Sequence, residues 1–230
     1  MRLIHHLTMD GDHSVTVTFL AIPKPVPDEI AVYRPSPGYW YVDRNGNGKW
    51  DGCTTDVCGG PFGVVGDVPV VGDWTELGIE TVGVYRPKTG YWYLDRNGDG
   101  RWEGCQTDIC SEWFGAPGDL PVFADWQGTG AASIGVFRPS NGHWYLDTNG
   151  NHRWDGCAID SCRGPFGLKG DQPVTGDWDG TGVKRIGVFR PSTGSWYLDM
   201  NGNGLWDGCA VDHCPGPFGL KGDVALTGKW

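Results

Sequence analysis

Hydrophobic residues in this chain come in short alternating bursts, and no segment holds a 3.6-residue apolar period. The pattern is clearest between residues 118 and 170. Pro121-Val122-Phe123-Ala124-Asp125-Trp126 lies between Gly118 and Gly128 and predicts a strand. Ile134-Gly135-Val136-Phe137 predicts a second, stopped by Arg138-Pro139, because proline lacks the N–H that a central strand needs. Ser140-Asn141-Gly142 predicts a hairpin turn, and His143-Trp144-Tyr145-Leu146 a third strand. A long loop follows from Asp147 to about Gly170, and a fourth, short strand is expected near Phe166-Gly167-Leu168. Alternation places Trp144 and Leu146 on one face of the third strand and His143 and Tyr145 on the other.

The same pattern occurs four times with a period of 52 residues. Trp40, Trp92, Trp144 and Trp196 superpose under that shift, as do Trp50, Trp102, Trp154 and Trp206. So do Arg34-Pro35, Arg86-Pro87, Arg138-Pro139 and Arg190-Pro191, with no insertion. The expected fold is all-β: four tandem 52-residue repeats forming a four-bladed, propeller-like structure, or alternatively an open linear β-repeat array. Residues 1–22 read as an N-terminal strand or linker segment, with Val15, Val17 and Phe19 alternating, and residues 23–230 as the four-repeat β domain. The repeats fall near 23–74, 75–126, 127–178 and 179–230.

Trp40, Trp92, Trp144 and Trp196 are the expected core set. Tyr41, Tyr93, Tyr145 and Tyr197 occupy the opposite face, where they either pack between sheets or form an aromatic row for a polysaccharide.

After each third strand comes a D-x-N-G-N-G-x-W-D type loop. The first copy offers Asp43, Asn45, Asn47 and Asp51; the second Asp95, Asn97, Asp99 and Glu103. The third offers Asp147, Asn149, Asn151 and Asp155; the fourth Asp199, Asn201, Asn203 and Asp207. The side chain at position 7 varies, as a backbone-carbonyl ligand permits: Lys49, Arg101, Arg153 and Leu205. Hard oxygens on alternate residues of a tight loop suit Ca²⁺, which takes six to eight of them. About four ions per chain are expected. The competing reading is a metal-free turn rich in Asn and Asp. The third copy has His152 where the others have glycine, so its geometry departs from the pattern. Asp56, Asp108, Asp160 and Asp212 follow each loop and either complete the calcium shell or cap a turn.

The cysteines form four pairs with constant spacing: Cys53/Cys58, Cys105/Cys110, Cys157/Cys162 and Cys209/Cys214. Zinc needs four ligands, and each pair supplies two, with one nearby histidine, His213, in the last copy. Local disulfides are the favoured reading, and they imply an oxidising compartment. Met1-Arg2-Leu3-Ile4-His5-His6 has no apolar signal core, so an export signal is expected to lie outside this stretch. No 18-residue apolar run offers a membrane span. A net charge of −10 without a basic stripe argues against a nucleic-acid partner.

Gly176-Asp177-Trp178-Asp179-Gly180-Thr181-Gly182, followed by Ile186-Gly187-Val188-Phe189-Arg190-Pro191, resembles the FG-GAP/VCBS-like repeats of bacterial extracellular proteins. These are similar to the calcium-bearing blades of integrin-type β-propellers. The resemblance covers about residues 23–230 and implies all-β blades, an extracellular or bacterial cell-surface location, and adhesive or structural roles. In that family the loop between the first two strands often binds calcium. Here its ninth position is Thr81, Ser133 or Arg185 instead of an acid. Calcium is therefore assigned to the loops after the third strand.

No Ser/His/Asp set recurs and no G-x-S-x-G or H-E-x-x-H occurs, so a non-enzymatic role is expected. Ala225-Leu226-Thr227-Gly228-Lys229-Trp230 repeats the first-strand register, giving five such strands for four hairpins. The surplus predicts head-to-tail self-association through terminal strands, toward surface or matrix filaments.

Overall fold

The computed structural model describes residues 30–75 and 78–227. It is all-β, with 14 strands in four antiparallel sheets and no helix among the described residues. Sheet 1 contains β1 (Ala31–Arg34), β2 (Tyr39–Val42) and β3 (Val57–Gly59). Sheet 2 contains β4 (Val68–Gly72), β5 (Thr81–Arg86), β6 (Tyr91–Leu94) and β7 (Ile109–Cys110). Sheet 3 contains β8 (Leu120–Ala124), β9 (Ser133–Arg138), β10 (His143–Leu146) and β11 (Ser161–Arg163). Sheet 4 contains β12 (Gln172–Gly176), β13 (Arg185–Arg190) and β14 (Ser195–Leu198). Each sheet is an up-and-down meander, and the four are not closed into a propeller.

The second and third strands lie where alternation puts them, with Trp144 opposite Phe137. The fourth strand does not. It is Ser161–Arg163, and Phe166-Gly167-Leu168 is loop. Cys162 sits inside β11 opposite Tyr145, so the strand is the segment leading away from the disulfide. Pro165, with no N–H to donate, falls just beyond it. In sheet 4 this strand shrinks to a bridge between Leu198 and His213. The expected N-terminal strand at 15–19 lies outside the described residues, as do residues 228–230. Residues 225–227 form no strand. They run beside β12, where the Ala225 N–H donates to Gln172 Oε1 (2.8 Å) and the Thr227 hydroxyl to the Thr175 carbonyl (2.8 Å). The second strand against which β4, β8 and β12 pair has no counterpart there among the described residues.

Sheets of three or four such short strands bury little alone. The core lies between successive sheets instead. Trp40 and Phe62 of the first repeat cluster with Val82 and Val84 of β5. Trp92 and Phe114 cluster with Ile134 and Val136 of β9, and Trp144 and Phe166 with Ile186 and Val188 of β13. The indole N–H of each core tryptophan donates to the backbone carbonyl of the phenylalanine 22 residues on, from Trp40 to Phe62 through Trp196 to Phe218. This satisfies the one polar atom that the ring would otherwise bury unpaired. Trp40, Trp92 and Trp144 are buried, whereas Trp196 is half-buried because no later sheet covers it among the described residues.

Each hairpin turn is held at backbone contact with the loop that follows the fourth strand of the same repeat. Gly90 ends the Arg86–Gly90 turn with φ +74°, and a Cβ there would lie 2.3 Å from the Gly115 carbonyl oxygen. Gly90→Ala should therefore cost more than the roughly 1–2 kcal/mol of a left-handed backbone alone. Gly104→Ala, with φ +96° and open space around it, should cost only that backbone part. Chemical denaturation of the two variants checks the difference, and equal losses would mean that the contact at Gly115 is soft.

Candidate metal-binding loops

The loop after each third strand begins as one more rung of the hairpin. Asp43, Asp95, Asp147 and Asp199 donate their backbone N–H to Ile30, Val82, Ile134 and Ile186 at 2.9–3.1 Å. This brings a buried carboxylate to the strand end in every repeat. That carboxylate then gathers the loop. Asp95 accepts N–H bonds from Gly98 and Gly100, both at 2.7 Å, and Asp199 from Gly202 (2.8 Å) and Gly204 (2.9 Å). Two left-handed residues make the tight curl, for example Gly98 (φ +75°) and Gly100 (φ +70°). His152 takes the same conformation, φ +61°, and its N–H donates to Asp147 at 2.9 Å. The departure expected of the third loop is thus confined to the side chain.

The remaining polar atoms tie the loop to itself. Asn45, Asn97, Asn149 and Asn201 each accept an N–H from the residue two further on, at 3.0–3.1 Å. Asn47, Asp99, Asn151 and Asn203 do the same with the N–H of Lys49, Arg101, Arg153 and Leu205. The ninth-position acids, Asp51, Glu103, Asp155 and Asp207, accept side-chain amide N–H bonds from the first asparagine of their loop. In Asp51, Asp155 and Asp207 two such donors hold the carboxyl below the ordinary range. The second loop differs. Asp99 replaces an asparagine and brings another carboxylate to the loop of Asp95, Glu103 and Asp108.

Asp56, Asp108, Asp160 and Asp212 are buried, and one oxygen of each accepts the N–H of the ninth-position acid at 2.7–2.8 Å. The other oxygen is poorly matched. In Asp108 and Asp212 it receives a long N–H bond, 3.4 Å, from Arg96 and Met200. In Asp56 and Asp160 it is buried with no donor within hydrogen-bond distance, although the Thr148 N–H still acts on Asp160. Burial, followed by neighbouring carboxylates, raises Asp95, Asp160 and Asp199 above the ordinary range. Both features suit a cation: a buried oxygen lacks a partner, and buried negative charges face one another.

Among the described residues, no three His, Cys, Asp or Glu side chains converge on one point. The oxygen donors are right in kind for a hard cation, and each loop would have to add amide, carbonyl and water oxygens to its carboxylates. The disulfides flank these loops: Cys53–Cys58, Cys105–Cys110, Cys157–Cys162 and Cys209–Cys214, with Cα–Cα distances of 5.2–5.4 Å. No free cysteine remains among the described residues.

The loops between first and second strands curl in the same way, Asp73, Asp125 and Asp177 accepting the N–H of Gly78, Gly130 and Gly182. Asp177 too keeps a buried oxygen without a partner, but these loops lack the ninth-position acid. Asp125 accepts N–H bonds from Gln127, Thr129 and Gly130, and in the last such loop the Arg185 guanidinium pairs with Asp179. An arginine thus supplies the positive charge where the acid of a calcium loop is missing.

The tyrosine row is occupied by its own repeat. Arg34, Arg86, Arg138 and Arg190 lie over the rings of Tyr41, Tyr93, Tyr145 and Tyr197 at 4.5–4.7 Å. Trp50, Trp102, Trp154 and Trp206 meet the same rings edge-on. Sequence reading named the arginines as repeat markers but missed their partners. Arg86, Arg138 and Arg190 make two-pronged ion pairs with the buried carboxylates of Asp67, Asp119 and Asp171 at 2.8–2.9 Å. The 52-residue recurrence of Asp67, Asp119, Asp171 and Asp223 was the available signal.

Comparison with protein-family models, with curated proteins and with solved structures finds no match to this chain.

Removing the buried anion tests the arginine clamp. Asp119→Ala should lose about 2 kcal/mol, since a charged hydrogen bond and a loop cap go together while Arg138 keeps some solvent. A thermodynamic cycle with Arg138→Ala should show coupling, and additive losses would mean that the pair contributes little.

Proposed function

We propose that this chain is a non-enzymatic, calcium-stabilised structural or adhesive repeat protein of an extracellular surface, an open array of sheets instead of a four-bladed ring. The carrying observation is the fourfold recurrence of one loop. In it a buried carboxylate gathers the backbone at a strand end, and a second buried carboxylate keeps an under-matched oxygen beside it. A divalent cation would neutralise the facing carboxylates and complete that oxygen. Asp43, Asp51 and Asp56 and their counterparts, which do not converge on one point in this arrangement, would have to close on it, with Asn45, Asn47 and the carbonyl of Lys49 and their counterparts adding neutral oxygens.

The other features agree with life outside the cell. Four disulfides staple the loops, and no helix among the described residues is long and apolar enough to cross a membrane. The strand-end carboxylates of these loops are engaged in holding backbone, a structural use of charge.

Dialysed protein should retain about four calcium ions per chain, read by elemental analysis. Each site filled at 100 times its Kd adds about 2.7 kcal/mol, so a chelator should lower the melting temperature sharply. Asp199→Ala should remove one ion. Asp99→Asn should keep the site and weaken it, because it takes one charge from the most acidic loop. Zero bound calcium with the same melting curve in calcium and chelator would sink the reading.

A further inference from the structure

The three joints between successive sheets share one construction. A phenylalanine, Phe62, Phe114 or Phe166, is at most 1% exposed, wedged against two aliphatic residues of the next repeat. It also meets the second tryptophan of that repeat edge-on, Trp102, Trp154 or Trp206, at 5.6–5.8 Å. Five residues on, Asp67, Asp119 or Asp171 grips the next repeat's arginine. Three residues further, Val70, Val122 or Val174 is buried.

The two ends of the array expose the two halves of this joint. At the last repeat Phe218 is 80% exposed and Leu226 74% exposed. Asp223 caps Leu220 N–H and has no arginine partner among the described residues. At the first repeat Ile30 is 64% exposed and Val32 62% exposed, although their counterparts Val82, Ile134, Ile186, Val84, Val136 and Val188 are buried. Trp50 lies open, and Arg34 bonds the Tyr41 hydroxyl but has no carboxylate partner among the described residues.

We propose that the Phe218–Thr227 segment of one copy seats on the first sheet of a second copy, Phe218 against Ile30, Val32 and Trp50 and Asp223 on Arg34, so that chains join head to tail. The proposal rests on reading the chain as an open array. The occupant is named by the joint itself, repeated three times inside the chain. The chain's own N-terminal segment is a poorer fit by its residues: 52 positions before Phe62 and Asp67 stand Asp10 and Val15. Because the two surfaces differ, the contact is heterologous and can propagate.

Charge exchange tests this. In calcium, the 230-residue chain should show a mass that rises with concentration in sedimentation velocity. Arg34→Asp and Asp223→Arg should each reduce it to a monomer, as should Phe218→Asp, an exposed change that leaves the fold intact. An equimolar mixture of Arg34→Asp and Asp223→Arg chains should assemble again, because each end finds a complementary one. If the mixture stays monomeric while the double variant within one chain regains stability, the ends close on each other and head-to-tail joining is wrong. A wild-type monomer at every concentration overturns it too. Calcium counted in the same samples separates the two readings: about four ions on a monomer removes this inference alone, whereas assembly without calcium removes the ion from the proposed function alone.

Discussion

Everything in this fold depends on burial that no single repeat can achieve. A sheet of three or four strands, some only two residues long, has two faces and too few side chains to cover them. The chain solves this by lending each repeat's phenylalanine to the next. Phe114 fills the space over Ile134 and Val136, and its carbonyl still serves Trp92 behind it. One residue thus closes the repeat it leaves and opens the one it enters. Stability then becomes a property of joints, as in other arrays governed by nearest neighbours.

Within that frame the loops have a secondary but necessary task. They are long and rich in glycine, Asn and Asp, and such segments cost much conformational entropy to fix. Three devices fix them together. The strand-end carboxylate collects two backbone N–H groups, the disulfide closes the neighbouring turn, and the second buried aspartate ties loop to turn. Their proximity puts negative charge where water is scarce, which is why Asp95 and Asp199 hold their protons more firmly than ordinary carboxylates. The electrostatic strain of the loop comes from the same buried carboxylates that order its backbone.

Much of the repeat was legible from spacing, because period and alternation act within a few residues. The third strand and its buried tryptophan face followed directly from His143-Trp144-Tyr145-Leu146. The fourth strand, Ser161–Arg163, is not legible from spacing because two or three residues are too few to show alternation, and the apolar signal nearby belongs to Phe166 in the loop beyond it. Phe166 is apolar for a different reason: it is a plug in the next sheet's core, and no pattern inside one repeat reveals a partner in another. The same limit hid the Asp119–Arg138 clamp, whose members stand 19 residues apart. For the loops, spacing located every candidate oxygen. It did not reveal that the asparagine amides turn their N–H groups onto the ninth-position acid.

The disulfides have a mechanical consequence. Each spans a sequence separation of only 5, and none links one repeat to another. Under tension such bridges leave nearly the whole contour of a repeat free to pay out. At about 3.4 Å per residue, a 52-residue unit releases on the order of 150 Å when its joint yields. Only the short turn between the paired cysteines stays bridged; the curl before it is held by hydrogen bonds and opens with the unit. A chain of this design would lengthen stepwise under load, one unit at a time, and each unit would keep only its bridged turn as a starting point for re-forming.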